Sequence, residues 1–338
     1  MDTTRHLQDR LRQVEDPELG TDIVSLGLMT DVRVDDGVAT VSLAFNAPLS
    51  PAEWTMCDEI RALCQGIGLE PRVYADTSTG GVFPDVKNTI AIGTAEPDAE
   101  TSLLTANLAA ALASIGARVG VFDVGLDADR KTWLERVARP DLSVDPIEPP
   151  AVEGISVVRL EPAVPTGDAL LKGAVVLELV LPAVVESLEW GSLDYLLVRL
   201  PRGTGRSTAA VAEQIPIDGA IAVSPVATDS SLPRTAVQEL NALGAAVIGA
   251  VETVDTGESD GDEPARRPAA LDCPHLGTVP LDRSTLPTAS DERADEPFVR
   301  ETEGASVLER SPFRELAVSV IDRIGAVNRR SVADRQFA

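Results

Sequence analysis

The chain has 338 residues, 44% of them apolar, which is enough for two domains with sizeable cores, and it carries a formal net charge of −25. That balance offers no basic stripe to neutralise phosphates and argues against nucleic-acid binding. No apolar run of about 18 residues escapes charge or proline, so no membrane span is expected. Lys87, Lys131 and Lys172 are the only lysines, and the three cysteines, Cys57, Cys64 and Cys273, form no Cys-x-x-Cys pair. An acid-rich, lysine-poor chain is expected from a very salty cytoplasm, where ions screen self-repulsion, in preference to an acidic protein of an ordinary cell. The odd cysteine count suggests no disulfide framework and a reducing, cytoplasmic setting. The polar start begins a helix at once and does not read as a signal peptide.

Residues 4–14 place Leu7, Leu11 and Val14 at helical spacing, and Asp16-Pro17-Glu18-Leu19-Gly20 stops that helix. Residues 29–34 and 38–45 alternate apolar and polar around Asp35-Asp36-Gly37, which predicts a hairpin. Ser50 as N-cap and Pro51 in the first helical position predict a helix to about Gly66, with a closing strand over 69–74. Cys57 and Cys64 are seven apart on that helix and are expected to be buried small hydrophobes.

This order of elements resembles the small α+β domain of the SufT and PaaD proteins, often fused ahead of Mrp proteins and linked to iron–sulfur cluster assembly. The likeness covers about residues 4–75. It implies a cysteine within Pro-x-Cys-Pro, where this chain has Pro48-Leu49-Ser50-Pro51. A hydroxyl cannot replace a soft thiolate as an iron ligand. Asp16 and Glu18 remain, either as a helix-ending turn or as a surface for a protein partner.

Residues 77–88 read as a linker. A strand over 89–92, a loop, an Ala/Leu helix from about Ser102 to Ile115 and a strand over 118–122 ending at Asp123 make a βαβ unit. The loop of such a unit is where phosphate is held. Here the loop carries Glu96, Pro97, Asp98 and Glu100, with no lysine and no glycine after Gly93.

Asn107-Leu108-Ala109, the run from Gly116 to Asp123 and above all the run from Trp190 to Gly205 resemble the Mrp/ApbC family of deviant P-loop, ParA/MinD-like ATPases. In that alignment the family's loop glycines fall on Ala95, Pro97, Asp98 and Glu100. The signature lysine falls on Glu96 and the phosphate-binding lysine on Thr101, while Ser102 keeps the magnesium-ligand hydroxyl. Asp123 is kept, but the second aspartate of its strand end is Gly125. The magnesium aspartate of the later strand is Arg199. Gly203 and Gly205 persist; Arg202 and Arg206 replace a proline and an aspartate. Glycines let backbone N–H groups wrap phosphate, and lysines balance its charge. At about 6 Å and an effective dielectric of about 20, each acid–phosphate charge pair repels by roughly 3 kcal/mol, more than a helix N-terminus returns. Arg199, Arg202 and Arg206 are expected to pair with Glu96, Asp98 and Glu100, or to be free surface charge.

Further on, 155–159 reads as a strand, 166–188 as a helix kinked or broken at Pro182, 219–224 and 244–252 as strands, and 312–327 as a final helix. Residues 252–263 read as an acidic disordered loop, lacking the cluster-binding Cys-x-x-Cys that the resemblance implies. Cys273 reads as a strand residue.

The expected fold is α/β: a small α+β domain (1–76), a linker (77–88), a P-loop NTPase-like domain with a mostly parallel sheet and helices on both faces (89–328), and a flexible tail (329–338). The expected role is a noncatalytic scaffold or partner subunit in iron–sulfur cluster assembly, a pseudo-ATPase with no catalytic residue and no metal site. No cofactor is expected, although the resemblance implies ATP, magnesium and an iron–sulfur cluster. Partners are expected to be proteins, an active Mrp-like subunit or iron–sulfur assembly proteins, in a homo- or heterodimer. The alternatives are an ATP-binding cluster carrier working through other residues and a MinD/ParA-like positioning regulator.

Overall fold

The computed structural model describes residues 3–76, 82–95, 100–125, 144–160, 169–201, 206–225, 231–255, 273–281 and 312–336. It divides into two compact units. One is Met1–Thr79 with Val320–Ala338; the other is Gly80–Ser319.

In the first unit, α1 (Thr3–Leu11) is followed by β1 (Met29–Asp35), β2 (Val38–Leu43), α2 (Pro51–Gly66) and β3 (Glu70–Ala75). The hairpin forms as predicted, with Asp35 opposite Val38. Asp36 and Gly37 both take positive φ, 47° and 80°, the left-handed pair that a two-residue turn needs to match strand twist. β3 pairs parallel to β2 in the order β1-β2-β3, with α2 making the crossover. Alternation along β2 buries Ala39, Val41 and Leu43. They share a core with Leu7 and Leu11 of α1 and with Met56, Ile60 and Cys64 of α2. Cys57 packs against that core half-buried.

The second unit holds an eight-stranded sheet in the order β11-β10-β9-β4-β8-β5-β7-β6. Its strands are β4 (Thr89–Gly93), β5 (Val119–Asp123), β6 (Ala151–Val152), β7 (Ile155–Arg159), β8 (Tyr195–Arg199), β9 (Gly219–Pro225), β10 (Val247–Asp255) and β11 (His275–Leu281). All pairs are parallel except β6–β7. Every residue of β4, β5 and β8 is buried, as both faces of a helix-covered parallel sheet require. Flanking helices are α3 (Thr101–Ser114), α4 (Ala169–Ser187), α5 (Arg206–Gln214) and α6 (Ser231–Ala242). This is the expected α/β architecture.

Of the two alternatives at Pro182 the break does not occur, since α4 runs on through it, and two other readings change. β10 continues to Asp255 because Thr253, Val254 and Asp255 pair with Val279, Pro280 and Leu281. That takes in the start of the segment read as an acidic loop, whose residues 256–263 lie outside the described ones. The expected tail from 329 is instead helix, since α7 spans Pro312–Gln336. Arg329 there is fully buried, and Val332 and Ala333 pack on the core of the first unit, so tertiary contact extends the helix. Cys273 sits just ahead of β11, and His275, its first residue, lies 3.4 Å from Glu252.

Candidate functional site

In an open parallel sheet, ligands meet the carboxyl ends of the strands. At that end of the second unit, three adjacent strands finish level with one another. Asp123 of β5 is in register with Arg199 of β8 on one side and Arg159 of β7 on the other. The Arg199 Nε donates to Asp123 Oδ1 over 2.6 Å, and Arg159 Nε lies 3.6 Å from Asp123 Oδ2. The Gly125 N–H also donates to Oδ1, at 3.0 Å. Asp123 and Arg199 are buried, so the pair is desolvated and held by its own geometry.

Gly125 is where it is for room. A Cβ there would lie 1.9 Å from Arg199 Nη2 and 2.0 Å from its Cζ. The arginine thus occupies the space a side chain at 125 would fill. Two guanidinium groups thus face the Asp123 carboxylate at these strand ends. Magnesium requires near-octahedral oxygen ligands, and Asp123 is already engaged by two arginines and a backbone N–H. This carboxylate does not fit a magnesium ion. Among the described residues no group of three His, Cys, Asp or Glu could hold a metal.

Of the predicted loop residues, Ala95, Glu100, Thr101 and Ser102 are described; Glu96, Pro97 and Asp98 lie outside the described residues, as do Arg202, Gly203 and Gly205. Glu100 precedes α3 as its N-cap residue without a side-chain cap bond, and both it and Thr101 are buried. The Leu104 N–H donates to the Glu100 carbonyl at 2.9 Å. The partner that sequence reasoning did not name for Arg199 is Asp123. Arg206 pairs with Glu178 of α4 on an exposed surface.

The first unit gathers a second charged cluster around the start of α2. Ser50 caps that helix, accepting from the Glu53 N–H at 3.3 Å. Its Oγ donates to Asp322 Oδ1 of α7 at 2.6 Å, and the Ala52 N–H donates to the same oxygen at 3.3 Å. Seven residues further along α7, Arg329 Nε donates to Asp16 Oδ2 at 2.5 Å, and its Nη1 donates to Glu53 Oε1 at 3.2 Å. Glu18 is 3.7 Å from the same guanidinium. Asp16 also receives the Glu18 and Leu19 N–H groups. Burial raises the Glu53 carboxyl to about 7 against the pull of Arg329, and burial raises Glu18 as well.

Asp16, read as a candidate partner surface, is therefore wholly buried, because its carboxylate is the counter-charge of Arg329. Glu18 is exposed at the edge of the cluster. Glu53, Asp322 and Arg329 were not singled out by the sequence. Their signal was the apolar stripe of α7, which resumes at Val332 and Ala333.

Residues 85–320 match a family described as NUBPL iron-transfer P-loop NTPase, and residues 5–62 match one described as iron–sulfur cluster assembly protein. An iron–sulfur cluster carrier protein of Synechocystis sp. is 28% identical over 310 residues, 83% of this chain and 87% of that protein. Another, of Deinococcus radiodurans, is 30% identical over 293 residues, 80% of this chain and 83% of that protein. A nucleotide-binding protein of Archaeoglobus fulgidus solved with ADP has 20% identity and a TM-score of 0.42, covering 70% of this chain and 88% of that one. The expectation that no cofactor is involved is corrected by these likenesses: cluster carriers and P-loop NTPases imply an iron–sulfur cluster and a nucleotide with magnesium.

Proposed function

Because the chain belongs to the family of iron-transfer P-loop NTPases, we propose that it works in iron–sulfur cluster assembly as a carrier, taking a cluster as cargo and passing it to a protein partner in the cytoplasm. The observation that carries this reading is the joining, in one chain and in one order, of an iron–sulfur assembly segment and an iron-transfer NTPase segment. With three cysteines in the chain and Cys64 sealed in a core, the thiolates of a four-ligand cluster come in part from a second subunit.

A second reading is favoured by the closure of Asp123. With that carboxylate held by two arginines, the chain serves as the noncatalytic subunit of a heterodimer, and an active Mrp-like partner hydrolyses ATP.

Anaerobic reconstitution with iron and sulfide in molar KCl tests the carrier. A brown protein whose visible band transfers to an apo acceptor supports it, and a colourless protein after reconstitution overturns it. ATP hydrolysis by the reconstituted chain alone would remove the second reading.

A further inference from the structure

Arg329 is fully buried at the polar end of α7, and no part of the proposed carrier role uses it. Its acceptors, Asp16 and Glu53, are fixed independently of it. Asp16 is held in its turn by the Glu18 and Leu19 N–H groups, and Glu53 stands in the first turn of α2, whose start is set by Ser50 and Pro51. The result is a socket in which Asp16, Glu18 and Glu53 gather around Arg329, with the charge of Arg323 also acting on Glu18. Seven residues away, two helical turns on the same face, Asp322 supplies the opposite charge to the N-terminus of α2, where an anion is favoured. Gly325 lies between them: a Cβ there would come within 2.8 Å of Arg329 Nη1 and 3.0 Å of the Ala47 Cβ. The face of α7 is thus matched to the socket at three points, anion, glycine and arginine.

The grip differs along the helix. Its first half is anchored by buried apolar residues, Phe313, Leu316, Val320, Ile321 and Ile324. Its last turns are held by the ion pairs of Arg329 together with Val332 and Ala333 on the core of the first unit, and a buried ion pair holds less strongly than an apolar isostere would.

We propose that the end of α7 is an intramolecular latch: it fills an arginine-reading docking site on the small unit, sealing Ser50, and competes there with a partner protein's helix that presents the same Asp and Arg spaced two turns apart. Charge complementarity names that occupant. The inference goes beyond the carrier role and does not depend on the cargo being a cluster.

Hydrogen exchange on the full chain, with Arg329→Gln beside the wild type, reads the latch. In the variant, amides of 320–336 exchange faster by on the order of a hundredfold, while β4, β5 and β8 keep wild-type protection. A fluorescein-labelled helix with the sequence of residues 318–336 then binds the variant and not the wild type, and the same peptide with Gln in place of Arg binds neither. Unchanged protection of 320–336 in the variant overturns the latch. So does an opened α7 that leaves the labelled peptide unbound. Should Arg329→Gln fail to fold, Ser50→Ala with Asp322→Ala removes the second contact and leaves the guanidinium paired. That chain also speeds exchange in 320–336, and wild-type protection there overturns the proposal.

Discussion

Asp123 and Arg199 end neighbouring parallel strands in the same register, and their side chains close over Gly125 in a buried 2.6 Å ion pair. Breaking such a pair from one side leaves an uncompensated charge in the core. Asp123→Leu leaves two guanidinium groups without their carboxylate and is expected to cost about 3–5 kcal/mol. Arg199→Met leaves Asp123 with Arg159 still 3.6 Å away and falls at the low end of that range. The double replacement recovers much of the loss. Urea unfolding in molar KCl, read by amide exchange in β5 and β8, measures the coupling; additive losses would refute the pair as an energetic unit.

Gly125→Ala asks for the same space as the arginine. In the wild type the new methyl collides with the guanidinium, so a loss of about 1–3 kcal/mol is expected. In an Arg199→Ala background the collision is gone and the alanine is tolerated. Equal losses in both backgrounds would mean that the backbone, not Arg199, demands glycine.

The positions of these two residues were legible; their meeting was not. Sequence reasoning put Asp123 at a strand end and noticed an arginine at 199. It could not give the strand order, and β8 lies between β4 and β5 although it follows them by more than 70 residues. The hairpin at Asp36-Gly37 and the cap at Ser50 were readable because their signals are local. Arg329 was missed for the opposite reason. Asn328-Arg329-Arg330 reads as a solvated end, and only a socket built from residues more than 270 positions away makes it a core residue.

The socket makes stability depend on pH in an unusual direction. Burial raises Glu53 from near 4.5 to about 7, so the folded unit holds this proton more tightly than the unfolded chain does. That contribution is full below about 4.5 and is lost as pH rises through 7, of order 3 kcal/mol in all. Asp194 behaves oppositely. Burial alone would raise it, but hydrogen bonds from Arg118 and Lys87 outweigh burial and hold it at about 2. Its contribution is present above about 3.8 and lost as pH falls through 2, outside the range where Glu53 acts. Protection of the amides of 320–336, taken as their rates relative to the intrinsic rate at each pH, should therefore fall between about pH 4.5 and 7, and Glu53→Gln should flatten that fall. A wild-type slope retained in that variant would assign the effect to another group.

Gly325→Ala sets local propensity against packing. In an exposed helix interior the change would stabilise by about 1 kcal/mol. Here the added methyl would meet Arg329 Nη1 at 2.8 Å and the Ala47 Cβ at 3.0 Å, with Glu53 Oε1 at 3.4 Å. The arginine cannot give way without leaving Asp16, and Ala47 is itself buried, so overpacking of about 1–3 kcal/mol wins. The first unit should melt earlier in Gly325→Ala than in the wild type. In an Arg329→Ala background one of the two tight contacts disappears, and the alanine should then cost little or stabilise. Thermal melts of the four chains decide it, and a Gly325→Ala chain that melts later than the wild type would show that α7 meets this unit less closely than its 2.5 Å arginine contact requires.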